Sequence, residues 1–250
     1  MRIWAGLIAV ALLSACVPAY PPVAAPPAAP PPAAAPPPAA APTARLPSET
    51  AVRNFVDVVQ RLEPVTEEVC RARTRGVNCD FLIVVDDRLG QPPNAFQTLD
   101  RQGRPVLGFT LSLIGDARNP DEIAFVLGHE ASHHILGHLP QTNANAQGAA
   151  MAAAILAAAS GASPQVAEQM TGMAATVGAR SYAKEFELQA DAMGAEIAYR
   201  SGYDPLLGTG FFDRLPDPGD AFLGTHPPNG QRKAVVARVV DNLRAGGAGL

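Results

Sequence analysis

The sequence predicts an α+β domain that is mainly helical. Three observations predict it. Apolar residues recur at helical spacing over most of the chain from residue 48 onward. Only two short stretches are rich in strand formers, Phe81 to Val85 and Val106 to Ile114. Several helical stretches open on a capping side chain followed by Pro, as at Asn119-Pro120 and Asp204-Pro205.

In chain order, Ser48 to about Arg75 is the first predicted helix, with Val52, Phe55, Val56, Val59 and Leu62 on one face. Pro64 is expected to kink or restart it, because proline lacks the N–H that a helix interior needs. Phe81 to Val85 reads as a buried strand. Residues 88–105 are turn-rich, and Val106 to Ile114 reads as a second strand. Asn119-Pro120-Asp121-Glu122 opens a helix that carries Ile123, Phe125, Val126 and Leu127 and runs to about Leu139. Residues 144–160 are nearly all Ala, with Met151, Ile155 and Leu156. That run is too short and too poor in large apolar residues to span a bilayer. It is expected to be a helix packed tightly on its neighbours or a flap that gates the site. Pro164 to about Arg200 is helical, with a break expected at Gly172 or Gly178. A short helix follows Asp204-Pro205, and the last runs from about Asn229 to Arg244.

The N-terminus has a different character. Arg2 precedes an apolar run from Ile3 to Leu13, which fits an export signal over residues 1–15. The run ends Leu13-Ser14-Ala15-Cys16, which resembles the lipobox of bacterial lipoproteins. By that resemblance Cys16 is the lipidated N-terminus after cleavage. Val17 at the next position implies sorting to the outer membrane, with the chain facing the periplasm of a Gram-negative cell. Residues 16–47 are dominated by Pro and Ala and form an extended linker. Residues 48–250 make up the folded domain. In an exported chain, Cys70 and Cys79 are candidates for a disulfide. The net charge of −4 offers no electrostatic footprint for nucleic acid.

The chemistry sits in residues 129–133, His-Glu-Ala-Ser-His. Histidines at i and i+4 project from one face of a helix, one turn apart. His129 and His133 can therefore hold one Zn²⁺, and Glu130 beside them can move a proton between water and a leaving amine. A metzincin arrangement needs Gly and His three and six residues beyond the second histidine; Leu136 and Leu139 stand there instead. His134 and His138 point to other sides of a helix that continues to 139 and read as packing or surface residues. A third ligand is then sought on a later helix. Glu187 and Asp191 are one turn apart, so Glu187 can ligate while Asp191 accepts from a histidine's second ring nitrogen. Glu185 is the rival ligand but has no acid at i+4.

Four stretches together resemble the zinc metallopeptidase family of the CAAX prenyl endopeptidases and HtpX heat-shock proteases, in its soluble periplasmic lipoprotein branch. They are Asn94-Ala95-Phe96, His129-Glu130 to His138, Glu187-Leu188-Gln189-Ala190-Asp191 with Gly194, and Thr225-His226-Pro227-Pro228 with Arg232. The resemblance implies a gluzincin fold with a small antiparallel sheet beside the active-site helix. It implies one zinc held by His129, His133 and Glu187, and an oxyanion donor in His226. Arg232 is read as pairing with an acid near the site, and the strand at Val106–Ile114 as a place where extended peptide adds to the sheet. The implied function is hydrolysis of peptide bonds in misfolded or misassembled envelope proteins. The alternative is a non-catalytic zinc-binding lipoprotein that acts as a binding or assembly factor.

Overall fold

A computed structural model describes residues 45–217, 219 and 226–247. The export segment, Cys16, the linker up to residue 44 and Thr225 lie outside the described residues. Among the described residues, eight α-helices and three strands are arranged in the order α1 (Ser48–Arg73), β1 (Leu82–Asp86), β2 (Ala95–Leu99), β3 (Pro105–Thr110), α2 (Leu111–Asp116), α3 (Pro120–Ile135), α4 (His138–Ala159), α5 (Pro164–Arg180), α6 (Ala183–Arg200), α7 (Pro205–Gly208) and α8 (Asn229–Arg244). A short 3₁₀ helix, Thr209–Arg214, lies between the last two.

Helix α1 runs through Pro64 as one element and buries Phe55, Val58, Leu62 and Val69, one stripe at helical spacing. Its start is already docked on the domain: Leu46 packs on the core and Arg45 reaches Asp116 at 3.3 Å. Cys70 and Cys79 are joined by a disulfide with their Cα atoms 5.8 Å apart. It ties the end of α1 to the residues that lead into β1.

The sheet has the order β1-β3-β2 and is mixed. β2 and β3 form an antiparallel hairpin, with Ala95 opposite Phe109 and Leu99 opposite Pro105. β1 pairs parallel to β3 because the chain crosses from β1 to the far edge before the hairpin begins. Two expectations change here. A strand, β2, lies within the stretch read as turns. The second expected strand also stops at Thr110, whose side chain accepts from the Leu113 N–H at 3.2 Å and caps α2. β3 is therefore paired on both sides, and the open edge beside the site belongs to β2, not to Val106–Ile114.

Helices α3 and α6 form the centre. Asn119 caps α3 by accepting from the Glu122 N–H at 2.8 Å, and Pro120 takes the first helical position. Glu122, nearly fully buried, accepts from both terminal nitrogens of Arg214 at 2.8 and 2.6 Å, which fixes the start of α3 to the 3₁₀ helix. The two central helices cross in backbone contact. A Cβ on Gly128 would stand 2.7 Å from the Gly194 carbonyl oxygen, and one on Gly194 would stand 2.7 Å from the His129 nitrogen. No side chain larger than hydrogen fits that crossing. On α6, every residue from Ala190 to Ala198 is buried.

Helix α3 ends at Ile135, not near Leu139. Gly137 takes φ +68°, a left-handed conformation open to glycine, and α4 leaves in a new direction from His138. α4 and α5 form a helical hairpin. The break after α5 falls at Ser181–Tyr182 rather than at Gly172 or Gly178. Gly178 instead lies against the backbone of Asn145, inside the hairpin contact. α4 packs closely on α5 alone. Beyond each other, the pair touch the body mainly through α3 and α6, the helices they are joined to. No described helix is long and apolar enough to cross a membrane.

Candidate metal centre

The Gly128–Gly194 crossing sets the site, because His129 follows the first glycine and Glu187 lies seven residues before the second. His129, His133 and Glu187 offer three ligand atoms that all lie within 4.8 Å of one another. His129 Nε2 is 3.4 Å from one Glu187 oxygen, and His133 Nε2 is 3.5 Å from the other. Glu185 is not in this cluster; it accepts from the Gln189 side-chain amide at 3.0 Å. Of the two acids weighed from the sequence, the structure brings Glu187 to the histidines.

Each histidine's other ring nitrogen is engaged. His129 Nδ1 donates to Asp191 Oδ1 at 2.9 Å. Asp191 is buried and held by Arg232, whose Nε and terminal nitrogen donate to its two oxygens at 2.7 and 2.6 Å. The same Arg232 nitrogen lies 3.4 Å from Glu187, and its guanidinium stacks 4.1 Å over the Phe212 ring. His133 Nδ1 lies 2.9 Å from His138 Nδ1, and His138 Nε2 lies 3.1 Å from Gln189 Oε1. With His133 Nε2 left unprotonated for a metal, one proton arrangement satisfies this chain. His133 Nδ1–H donates to His138, His138 Nε2–H donates to Gln189, and Gln189 donates to Glu185. His138 is buried and stacked on Phe186, with ring centroids 4.4 Å apart.

His138 is the residue that the helical-wheel argument misplaced. That argument carried α3 straight on to 139. The break at Gly137 turns the chain and brings His138 back to its neighbour. The sequence held the signal: Gly137 followed by Pro140 is a helix-stop pattern. His134 does point away, with Nε2 2.7 Å from the Asn78 carbonyl and its ring edge-on to Phe81. His226, exposed just ahead of α8, reaches Glu187 with Nδ1 at 3.2 Å.

The charges respond to this enclosure. Burial disfavours a charged His129, but its hydrogen bonds to Asp191 and Glu187 outweigh burial and push its pKa up to about 10. Burial and then the neighbouring His129 charge push His133 down to about 3. Burial works against ionised Glu187, yet its bonds to His129 and His226 hold it well below the usual carboxylate range. Asp191 is likewise held low by His129 and Arg232 against burial. Burial lifts Glu130 to about 6, against the pull of His129. The acids thus hold positive charge at His129, beside a His133 that stays neutral. The nitrogen that carries the second proton on His129 is the one facing Glu187 and His133. Two nitrogens, one carboxylate and fixed outer partners fit a divalent metal of the zinc type, whose arrival would displace that proton.

Two clefts meet at these residues. One, of about 390 Å³, runs past Pro93, Asn94 and Ala95 and is walled by Phe211 and Phe212. The other, of about 380 Å³, runs past Gln97 and opens at Leu139, Thr142 and Arg180, the root of the α4–α5 hairpin. Glu130, His133, Glu187 and His226 line both. The result is one groove with β2 along its side and the metal donors at its middle.

A His-Glu-x-x-His helix completed by a glutamate from a second helix defines the class of two-histidine, one-glutamate metallopeptidases. The family model of peptidase family M48 matches residues 59–239, and the chain belongs to that family. It is a metallopeptidase, a hydrolase whose substrates are polypeptides. Comparison with curated proteins returns no match.

Proposed function

We propose that the protein is a zinc-dependent endopeptidase that cleaves unfolded or misassembled proteins of the bacterial envelope. The observation that carries this reading is the placement of His129, His133 and Glu187 at the middle of a groove open on both sides. A chain can pass through such a groove without presenting an end, which suits cleavage at internal bonds. Its backbone would add to the free edge of β2, which runs along both clefts.

In this reading His129, His133 and Glu187 hold one zinc ion, whose two nitrogen donors and one oxygen donor favour zinc among available divalent metals. When bound, the ion supplies Lewis acidity to the scissile carbonyl and to the attacking water. Glu130 takes the proton from that water and delivers it to the leaving amine. Its lifted pKa suits both halves of that task near neutral pH. His226, exposed at the rim, offers an N–H to the carbonyl oxygen as charge develops there. Asp191 holds the His129 ring, and Arg232 holds Asp191.

The export signal, the lipobox-like Cys16 and the Pro-Ala linker support a lipid-anchored domain of residues 48–250 on the periplasmic face of the outer membrane. The direct test of the chemistry is Glu130→Gln. Metal content should stay at one ion per chain, while cleavage of an unfolded protein falls by at least about a hundredfold. Equal cleavage by the two proteins would reject the enzyme assignment. Glu187→Ala should lower metal content as well. Unchanged turnover of envelope proteins under stress in cells lacking the protein would reject the quality-control role.

A further inference from the structure

We propose that the α4–α5 hairpin is a docking surface for non-native polypeptide, continuous with the groove and reached only by long substrates. The proposal rests on the peptidase reading of the groove and assigns a role to an element that reading leaves unused.

The hairpin is unlike the rest of the surface. From His138 to Arg180 it carries only two ionised side chains, Glu168 and Arg180. Three of the chain's five methionines lie on it. Met151, Ile155 and Leu156 on α4 are 64%, 66% and 61% exposed, and Met173 on α5 is 71% exposed. Large apolar side chains left in water on a protruding element mark a binding surface. Methionine suits one that must accept varied sequences, because its unbranched thioether adapts its shape.

The occupant follows from where the hairpin begins and how its polarity is laid out. The second cleft leaves the metal donors and opens between Leu139 and Thr142 of α4 and Ala179 and Arg180 of α5. A chain lying along β2 past Gln97 therefore emerges at the hairpin's root. The apolar side chains stand along the shaft. The tip is polar, reading Ser160-Gly161-Ala162-Ser163-Pro164-Gln165, with Glu168 one turn on. A hairpin built to dip into lipid would place its apolar residues at the tip. A shaft that rises from the root of a peptide groove suits an extended apolar chain. Met151 to Leu156 lie about 20–27 Å along α4 from His138, at 1.5 Å per helical residue. A strand covers that distance in roughly six to eight residues. Substrates with fewer residues on that side of the cleaved bond do not reach the contact.

The test uses the full chain carrying Met151→Gln, Ile155→Gln, Leu156→Gln and Met173→Gln together, all exposed positions with helix-compatible replacements. Binding of fluorescent β-casein is measured by anisotropy with these changes on a Glu130→Gln background, so that the probe survives. Affinity should fall about tenfold, as expected for four lost apolar contacts. With Glu130 intact, KM for β-casein should rise by a similar factor, while kcat/KM for a six-residue fluorogenic peptide stays the same. Unchanged β-casein binding overturns the proposal. So does unchanged β-casein binding accompanied by lost flotation with phospholipid vesicles or lost self-association by sedimentation, since the face then serves lipid or a second copy. A parallel fall in six-residue peptide cleavage also overturns it, because the change then reaches the catalytic core. Four-residue-dependent β-casein binding with cleavage of neither substrate by the Glu130-intact protein would leave the docking surface standing and reject the peptidase reading instead.

Discussion

Glu130 differs from the other carboxylates of the cleft in the direction of its shift. Glu187 and Asp191 are held low by cationic partners, whereas burial dominates at Glu130 and raises it to about 6. A general base works only when ionised, so kcat/KM should fall about tenfold per pH unit below that pKa. A bound cation nearby favours the ionised form, which puts the acid limb at or below about pH 6. A profile from pH 4.5 to 8 under saturating metal checks this, and a limb near pH 7 would rule Glu130 out as its origin. His138 gives a second prediction at this scale. His138→Ala removes the acceptor for the His133 Nδ1–H, so metal affinity should drop about 10- to 100-fold, read by competition with a chelator. Asn at 138, which keeps an acceptor, should restore part of it. Most of the site was legible in the sequence because ligand geometry imposes spacing. His129 with His133, and Glu187 with Asp191, are each i and i+4. His138 was hidden because its place depends on a break in the helix rather than on a period.

At the scale of elements, the crossing of α3 and α6 has the largest consequence. Gly194→Ala places a methyl 2.7 Å from the His129 backbone nitrogen, too close for a carbon, so the helices must part or shift. Overpacking of this kind costs about 1–3 kcal/mol of stability. It should also lower metal stoichiometry while far-ultraviolet circular dichroism keeps its helical signal. Full metal content with unchanged melting would show that the crossing tolerates a side chain. The elements themselves were unevenly legible. Helices α1, α3 and α8 were readable from their apolar residues and start signals, whereas α2 and the breaks after α3 and α5 were not. β2 was not, because Ala95-Phe96-Gln97-Thr98-Leu99 is short and lies between Pro92-Pro93 and the turn at Asp100, whose side chain accepts from the Gln102 and Arg104 N–H groups. The strand-to-helix change at Thr110 was obscured by an apolar run that continues through Leu111, Leu113 and Ile114. Parallel pairing of β1 follows from tertiary path, which local pattern does not encode.

For the whole molecule, the anchored reading makes a prediction of its own. Cys16→Ala should move the protein from the membrane fraction to the soluble fraction without changing its kcat on a short peptide. An unmodified Cys16 thiol in the intact protein's mass spectrum would end the lipoprotein assignment.

The backbone contact between Gly128 and Gly194 bears on how the centre meets its metal. The distance between the ligand-bearing helices is set by main chain against main chain, where there is no rotamer to adjust. The rings and the carboxylate are then locked by Asp191, Arg232 and His138. The ordering entropy of assembling the centre is therefore spent during folding, before any ion arrives. The ion completes a shape that already exists, and the geometry it finds is a property of the core.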